Sequence, residues 1–304
     1  MFFKRFKVLI ATIGIVLLGV ALTACGNSSN SSSSNNKIKI VATTDFYGEV
    51  AKSVVGNKGS VESIINKPGV DPHDYEPTTA IAKDVSGADF TIANGLGYDP
   101  WMNKLSKKKD STFIKVGENI LDKKTGANPH LWYDPATMPA LANQLAKELS
   151  QKYPKNKKYF ETNAKKYIAS LKPIQDELTE LTNKAKLMSN KEVYVSEPVF
   201  DYAIKTMGFK VGNTNFEKAV ENGTDPSPAV VKNMRRGISE GKISFLVYNS
   251  QSDSKTVDNM IALAKEKNIP ILKVTETLPA GKTYKEWMLS QYQQLNKILE
   301  KGAK

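Results

Sequence analysis

The chain has 304 residues, enough for one large or two ordinary domains, and its hydrophobic content of 40% and charged content of 24% are those of a globular protein. A single Cys excludes a disulfide framework. The formal net charge of +12 could suit a nucleic-acid ligand, but basic residues alternate with acidic ones, as in Lys265-Glu266-Lys267, and no arginine-rich patch occurs. We therefore expect a lysine-rich surface and no binding of nucleic acid.

The first 24 residues have the layout of a secretory signal peptide. Met1–Lys7 is basic, Val8–Ala21 is almost continuously apolar, and Leu22-Thr23-Ala24-Cys25 follows. The apolar run is shorter than the about 20 residues of a comfortable membrane span. The last four residues resemble the lipobox of bacterial lipoproteins, which implies cleavage before Cys25 and lipidation of its sulfur. An uncleaved anchor is the alternative, and either would leave the remaining chain outside the cytoplasm.

Residues 25–36 are almost all Ser and Asn, which predicts a flexible tether. The folded part begins near Lys37, and from there to residue 154 strands alternate with helices. The predicted strands are Lys37–Thr43, Val61–Ile65, Asp89–Ala93 and Thr112–Val116. The predicted helices are Phe46–Val55, Pro77–Ser86 and Pro135–Lys152. This alternation is typical of a parallel sheet covered by helices on both faces.

A long helical stretch interrupts the alternation. Lys155–Met188 would extend over about 50 Å at 1.5 Å per residue, and Pro173 should kink it. We interpret residues 155–189 as a helix that links two lobes, with a helical hairpin inside one domain as the alternative.

Strands and helices alternate again in residues 190–304. The predicted strands are Glu192–Ser196, Ile243–Tyr248 and Ile271–Thr275, and the predicted helices are Phe200–Met207, Lys255–Lys267 and Lys285–Lys301. The predicted fold class is therefore α/β, with two parallel-sheet lobes, residues 37–154 and 190–304, joined by one long rigid helix.

Four candidate ligands follow predicted strands. His73 lies in Val70–Pro77 after the second strand, and His130 lies in Asn128–Pro135 after the fourth. Glu197 and Glu276 come directly after the strands that end at residues 196 and 275. Ligands of open α/β sheets bind beyond the carboxyl ends of the strands. The four side chains are therefore expected to face one cleft, two imidazoles from one lobe and two carboxylates from the other.

This donor set suits Zn²⁺, Mn²⁺ or Fe²⁺. A proline before each His stiffens its loop, and three nearby aspartates could orient the ring N–H groups: Asp71, Asp74 and Asp134. The residues also have ordinary alternatives. A His in a proline-rich loop often lies on the surface or packs in the core, and Glu197 and Glu276 could be helix-cap acids.

At these positions the sequence resembles the metal-specific solute-binding proteins of bacterial ABC importers, the zinc and manganese group. The resemblance covers nearly the whole chain after the tether, beginning at Val41-Ala-Thr-Thr-Asp-Phe-Tyr47. The other motifs that carry it are Asp71-Pro-His-Asp-Tyr-Glu-Pro77, Asn128-Pro-His130, Ser196-Glu197, Asn268-Ile-Pro-Ile271 and Thr275-Glu276. The family fold of two lobes and one long helix agrees with the pattern above.

The resemblance implies a set of metal ligands. His73 and His130 match the two ligands of the first lobe, and Glu197 matches a position that is His in many zinc proteins and Glu in many manganese proteins. Glu276 stands where the family usually has Asp, so the fourth ligand stays open. The loop at residues 117–127 has no His, whereas zinc members often carry a His-rich loop there.

The implied function is to capture a divalent metal outside the membrane, as a lipid-anchored monomer, and to deliver it to an ABC permease driven by its ATPase. The chain itself has no Gly-x-x-x-x-Gly-Lys-Ser/Thr loop and is not expected to hydrolyse nucleotide or to be an enzyme. The alternatives are a surface metal-binding adhesin and a secreted metallohydrolase, although no His-Glu-x-x-His motif occurs. The identity of the metal stays open.

Overall fold

The computed structural model describes residues 37–107 and 109–302. The predicted signal peptide, Cys25 and the tether of residues 25–36 lie outside these ranges. Within the two ranges, no helix is both long enough and apolar enough to cross a membrane.

Eight parallel strands in the described ranges form two sheets. The first sheet has the order β2-β1-β3-β4 and contains β1 (Ile38–Thr44), β2 (Gly59–Ile65), β3 (Phe90–Ala93) and β4 (Thr112–Lys115). The second has the order β6-β5-β7-β8 and contains β5 (Glu192–Val195), β6 (Lys210–Val211), β7 (Leu246–Asn249) and β8 (Ile271–Val274). In each sheet the strand order reverses at the first strand, which opens a crevice beyond the carboxyl ends of the two central strands.

Helices connect the strands and cover the sheets. In the first lobe they are α1 (Asp45–Val55), α2 (Thr79–Ser86), α3 (Met102–Leu105) and α4 (Thr137–Lys152), followed by α5 (Lys157–Ser170). The remaining helices are α6 (Lys172–Leu187), α7 (Asp201–Met207), α8 (Thr214–Glu221), α9 (Pro228–Ser239), α10 (Lys255–Glu266) and α11 (Tyr284–Gly302).

The predicted fold class, two α/β lobes with parallel sheets, is confirmed. Most predicted elements are present with shifted ends; the strand predicted from Ile243, for example, begins at Leu246. The sequence pattern predicts no strand or helix in residues 209–242, where the structure has β6, α8 and α9. Several Asn, Gly and Pro residues in this segment favour turns, and β6 has only two residues, so the periodicity is too short to recognise.

The predicted linking helix is present as two consecutive helices. α5 ends at Ser170 and α6 begins at Lys172, so the stretch breaks at Leu171, next to the predicted kink. Pro173 lies in the first turn of α6, where its missing amide proton is not needed. α5 packs against α1 and α4, whereas α6 packs against α7 and α11. Each of the two helices therefore belongs by its packing to a different lobe.

Aromatic side chains connect the two lobes in one core. The ring of Phe46 in α1 lies 4.8 Å from that of Trp132 and 5.9 Å from that of Trp287 in α11. Tyr133 lies 5.7 Å from Trp287 and 5.0 Å from Phe200. All five side chains are buried. Because large aromatic side chains bury much apolar area and gain further from edge contacts, this cluster holds the lobes in a fixed relation.

We predict that Phe46→Ala lowers the free energy of unfolding by about 3–5 kcal/mol, because it leaves a cavity between the two tryptophans. Urea unfolding followed by tryptophan fluorescence measures this loss. Leu187→Ala is the control, since Leu187 is 85% exposed and its truncation should cost less than about 0.5 kcal/mol. Equal losses in the two variants would contradict a core shared between the lobes.

Candidate metal centre

His130 is fully buried immediately before the 3-10 turn Leu131–Tyr133, in the connection from β4 to α4. Asn128 holds it in place. Oδ1 of Asn128 accepts hydrogen bonds from the backbone amide of His130 at 2.9 Å and from its ring Nδ1 at 2.8 Å. Nδ2 of Asn128 donates to the carbonyl of Pro198 at 2.7 Å, which fixes the orientation of the amide group.

These contacts determine the tautomer of His130. Because Oδ1 of Asn128 can only accept, Nδ1 carries the proton, and in the neutral ring Nε2 carries the lone pair. Nε2 is buried, and no group among the described residues hydrogen-bonds to it. Metal-binding His residues usually have this form, with one nitrogen free for the metal and the other oriented by a hydrogen bond.

His73 lies in the loop between β2 and α2, and its side chain is 34% exposed. Two contacts hold the loop. Nε1 of Trp101 donates to the backbone carbonyl just before His73 at 3.2 Å, and the amide of Gly69 donates to Oγ1 of Thr277 in the second lobe at 2.8 Å. The imidazole packs edge-on against Tyr98, with 4.8 Å between ring centroids. His73 is therefore positioned by the folding of its loop and is the more accessible of the two histidines.

Glu276 follows β8 and points toward the first lobe. Its Oε1 accepts a hydrogen bond from the hydroxyl of Tyr98 at 3.0 Å and lies 3.7 Å from Nε2 of His130. Oε1 of Gln251 accepts from the backbone amide of Glu276 at 2.8 Å. Burial alone would raise the pKa of Glu276, but His130 and the Tyr98 hydroxyl outweigh it and hold that pKa below its ordinary value. The side chain is therefore available as a carboxylate.

Glu197 follows β5 and is connected to Glu276 through Asn249. Nδ2 of Asn249 donates to Oε2 of Glu197 at 2.6 Å and lies 3.4 Å from Oε2 of Glu276. Burial raises the pKa of Glu197, and hydrogen bonds from Ser252 and Asn249 offset part of that rise. Asn249 therefore holds two carboxylates of the second lobe side by side.

Glu221, the last residue of α8, is a third carboxylate in the cleft. Its Oε1 lies 3.7 Å from Nε2 of His73 and 3.8 Å from Nε2 of His130. The side chain is 18% exposed. The structure thus brings the predicted histidines and carboxylates to one place, and adds a residue that the sequence did not indicate.

The separations between these donor atoms are slightly wider than those around a bound ion. Ligands about 2.1 Å from a metal lie about 3.4 Å apart in a tetrahedron. The donor pairs at 3.7 and 3.8 Å are a few tenths of an ångström wider. Within residues 37–107 and 109–302, accordingly, no group of three or more His, Cys, Asp and Glu side chains could hold a metal ion as it stands. Small side-chain movements would be needed to enclose one.

Buried carboxyl groups and His130 shift one another's pKa values in the cleft. Burial is the main cause that raises the pKa of Asp201 to about 6 and that of Glu217 to about 8, while His130 lowers both. Burial lowers the pKa of His130, but Glu276 and Glu221 outweigh it and raise that pKa above its ordinary value. Positive charge stabilises the ionised carboxylates, and the carboxylates stabilise the protonated form of His130, so the arrangement favours a cation among these side chains.

Two of the three predicted orienting aspartates bond to backbone amides. Oδ1 of Asp71 accepts from the backbone amide of His73 at 2.8 Å, and Oδ1 of Asp134 accepts from that of Ala136 at 3.0 Å. Asp74 is exposed. The partner of the His130 ring is Asn128, which corrects the role predicted for Asp134. Short Asp side chains in turns bond to nearby backbone amides in preference to a more distant ring.

Sequence signals exist for some of the missed residues. Asn249 ends β7, so the rule that pointed to Glu197 and Glu276 also points to Asn249. Tyr98 lies in the loop after β3. The same rule finds it when the rule includes residues a few positions beyond the end of each strand. Glu221 ends a helix in a segment without a predicted element, and no sequence signal indicated it.

Comparison with known proteins identifies the family. Residues 40–298 match the model of the zinc-uptake complex component A, a periplasmic protein. The chain belongs to this family. The family resemblance stated from the sequence motifs is thereby confirmed.

Among curated relatives, the metal ABC transporter substrate-binding lipoprotein SsaB of Streptococcus sanguinis is 30% identical over 275 residues, covering 85% of this chain and 86% of its own. The manganese ABC transporter substrate-binding lipoprotein PsaA of Streptococcus pneumoniae is 28% identical over 311 residues, covering 95% of this chain and 97% of its own. The match in both cases extends over nearly the whole length of each protein.

Solved structures share the fold. The Mn-bound periplasmic metal-binding protein of Candidatus Liberibacter asiaticus superposes with a TM-score of 0.69 at 19% identity, covering 86% of this chain and 100% of its own. The solute-binding protein FpvC of Pseudomonas aeruginosa, in complex with Ni²⁺, superposes with a TM-score of 0.71 at 20% identity, covering 87% of this chain and 97% of its own. At about 20% sequence identity, these similarities show that the fold is shared.

We predict that Asn128→Ala weakens binding of a divalent metal by about 10–100-fold, the usual effect of losing the partner that orients a ligating imidazole. Isothermal titration calorimetry with Zn²⁺ or Mn²⁺ measures the change. Asn183→Ala, at an exposed position of α6, is the matched control and should bind like the unaltered chain. Equal affinities for the two variants would contradict the orienting role of Asn128.

We also predict that Glu217→Gln removes part of the pH dependence of stability. The folded-state pKa of about 8 lies above the ordinary 4.5, so the folded protein holds this proton at pH values where the unfolded chain has lost it. The free energy of unfolding should therefore fall as the pH rises from about 4.5 to about 8. Gln stays neutral, so the free energy of unfolding of the variant should rise relative to that of the unaltered chain between pH 5 and pH 8.5. Urea unfolding at the two pH values measures this difference. If the two proteins differ in free energy of unfolding by the same amount at both pH values, Glu217 does not titrate in this range.

Proposed function

We propose that the protein captures a divalent transition metal between its two lobes and delivers it to the permease of an ABC importer. The observation that carries the proposal is the Nε2 atom of His130, which is buried, carries the lone pair of the neutral ring and faces carboxylates of the other lobe. Carboxylates that face this nitrogen are favourable with positive charge between them, and a metal ion bound to the lone pair supplies that charge. Membership of the zinc-uptake family supports the same function.

The proposed ligands come from both lobes. His73 and His130 supply imidazole nitrogens, and Glu197 and Glu276 supply carboxylate oxygens. A metal held in this way bridges the lobes and stabilises their closed arrangement by its greater affinity for that arrangement. His130 is rigid and buried, whereas His73 lies on an exposed loop, so we expect His73 to move more when metal enters or leaves.

The proposed cargo is Zn²⁺ or Mn²⁺, with Fe²⁺ also compatible. Carboxylate oxygens favour the harder Mn²⁺ and Fe²⁺, whereas the general order of affinities favours Zn²⁺ at a site with imidazoles. The name of the streptococcal relative PsaA states manganese, and the related structures contain Mn and Ni²⁺. The metal is carried as the substrate, and the proposal requires no reaction.

We further propose that residues 1–24 are a signal peptide and that Cys25 is lipidated, with residues 25–36 as the tether. Acyl chains gain about 0.8 kcal/mol per buried CH₂, so several on one Cys would hold the protein at the outer face of the cell membrane. The names of the relatives SsaB and PsaA as lipoproteins support this location. Residues 37–154 and 190–304 would form the lobes of a monomer, joined by residues 155–189. The membrane permease and its ATPase are the proposed partners.

We predict that the metal-free chain binds one Zn²⁺ or Mn²⁺ and gains thermal stability from it by the linkage of binding to folding. His130→Ala should weaken binding by more than about 100-fold, since losing a ligand costs more than losing its orienting partner. His73→Ala should also weaken it strongly. Calorimetric titration of the full chain, purified in detergent, provides the measurement.

Asp253→Ala is the control, because Asp253 lies on the second lobe beyond β7 and is not among the proposed ligands. It should bind metal as the unaltered chain does. Equal losses in all three variants would contradict the ligand assignment. An unaltered chain that binds no metal, or a strain that imports metal equally well without the protein, would contradict the proposed function.

A further inference from the structure

We propose that Glu221 is a direct ligand of the transported metal, in addition to the four residues that the sequence indicates. This inference rests on the proposed function and makes it more specific. It adds a carboxylate from α8, a helix of the second lobe that does not follow the strand-end pattern of the other ligands.

The position of Glu221 between the two histidines is the main evidence. One atom, Oε1 of Glu221, lies 3.7 Å from Nε2 of His73 and 3.8 Å from Nε2 of His130. The two imidazoles come from loops after different strands, and this oxygen is nearly equidistant from both. On the other side of His130, Oε1 of Glu276 lies at 3.7 Å. Two carboxylate oxygens from the second lobe thus face the same buried nitrogen.

These separations fit a shared cation better than direct hydrogen bonds. An N–H···O bond has a length of about 2.7–3.2 Å, so 3.7 and 3.8 Å are too long for one. Donor atoms about 2.1 Å from a metal are about 3.4 Å apart in a tetrahedron and about 3.6 Å apart in a trigonal plane. In addition, Nδ1 of His130 donates to Asn128, so its Nε2 presents a lone pair to both carboxylates when the ring is neutral.

Glu221 differs from Glu197 in its other contacts. Oε2 of Glu197 accepts a hydrogen bond from Asn249 at 2.6 Å, and Ser252 also bonds to this carboxylate. Among the described residues, the polar side chains that pair with Glu221 are the two imidazoles. A carboxylate that is only 18% exposed and faces two imidazole nitrogens is favourable only with positive charge beside it.

The fold holds Glu221 in this position from both ends of α8. At the start, the side chain of Asn213 bonds to both backbone groups of Val195 in β5, accepting at 3.0 Å and donating at 2.7 Å. At the end, Gly223 adopts a φ of 63° and its amide donates to the carbonyl of Val220, which turns the chain directly after Glu221. Phe216 buries the inner face of the helix. The carboxylate is therefore fixed relative to the end of β5.

The test is a titration of the full metal-free chain with Co²⁺, whose visible absorption reports the number and type of its ligands. Glu221→Gln keeps the shape of the side chain and removes its charge. We expect at least a 10-fold loss of Co²⁺ affinity and a changed spectrum at saturation. Glu266→Gln is the matched control: Glu266 is also the last residue of a helix in the second lobe, and it pairs with Lys267 at the surface.

The spectrum decides the outcome. A changed spectrum, or no bound Co²⁺ at concentrations that saturate Glu266→Gln, supports Glu221 as a ligand, provided that the metal-free variant melts like the unaltered chain. An unchanged spectrum overturns the inference even if the affinity falls, because an effect of charge alone leaves the ligand set intact. His130→Ala separates the two proposals: if it loses Co²⁺ while Glu221→Gln keeps the original spectrum, the transport function stands and the role of Glu221 does not. An unaltered chain that binds no Co²⁺ contradicts both.

Discussion

The hydrogen bond from Nδ1 of His130 to Oδ1 of Asn128 determines what the cleft can bind. It sets the tautomer, and in the neutral ring it leaves the lone pair on a nitrogen that the protein has fully buried. Asn128 has no freedom to reverse its amide, because its nitrogen donates to Pro198 of the second lobe. One side chain thus orients the imidazole and also connects the lobes. Carboxylates opposite such a nitrogen are stabilised by positive charge between them, either a proton on Nε2 or a metal ion.

The cleft depends on a fixed relation between the lobes. Donor atoms come from opposite sides, so their separations are determined by packing far from them. The aromatic cluster of Phe46, Trp132 and Trp287 contacts His130 through Trp132, whose ring is 5.3 Å from the imidazole. Packed cores of this kind resist deformation. Metal exchange is therefore expected to involve the loop of His73 more than a hinge between the lobes.

Much of the fold can be predicted from the sequence, because most strands and helices show a recognisable pattern of apolar residues. The strand-end rule also led from β4, β5 and β8 to His130, Glu197 and Glu276 without any structure. It could not find Glu221, since this residue owes its position to the anchoring of α8 on β5 and to the turn at Gly223. Nor could it assign the ring partner of His130: Asn128 and Asp134 are both near in sequence, and only the path of the loop decides between them.

Anomalous X-ray diffraction from crystals grown with Mn²⁺ or Zn²⁺, recorded at the absorption edge of the metal, tests the central claim most directly. The account predicts one strong peak between the lobes, within about 2.0–2.3 Å of Nε2 of His73, Nε2 of His130 and a carboxylate oxygen from the second lobe. A peak bound by residues of only one lobe, or metal only at the surface, would contradict it.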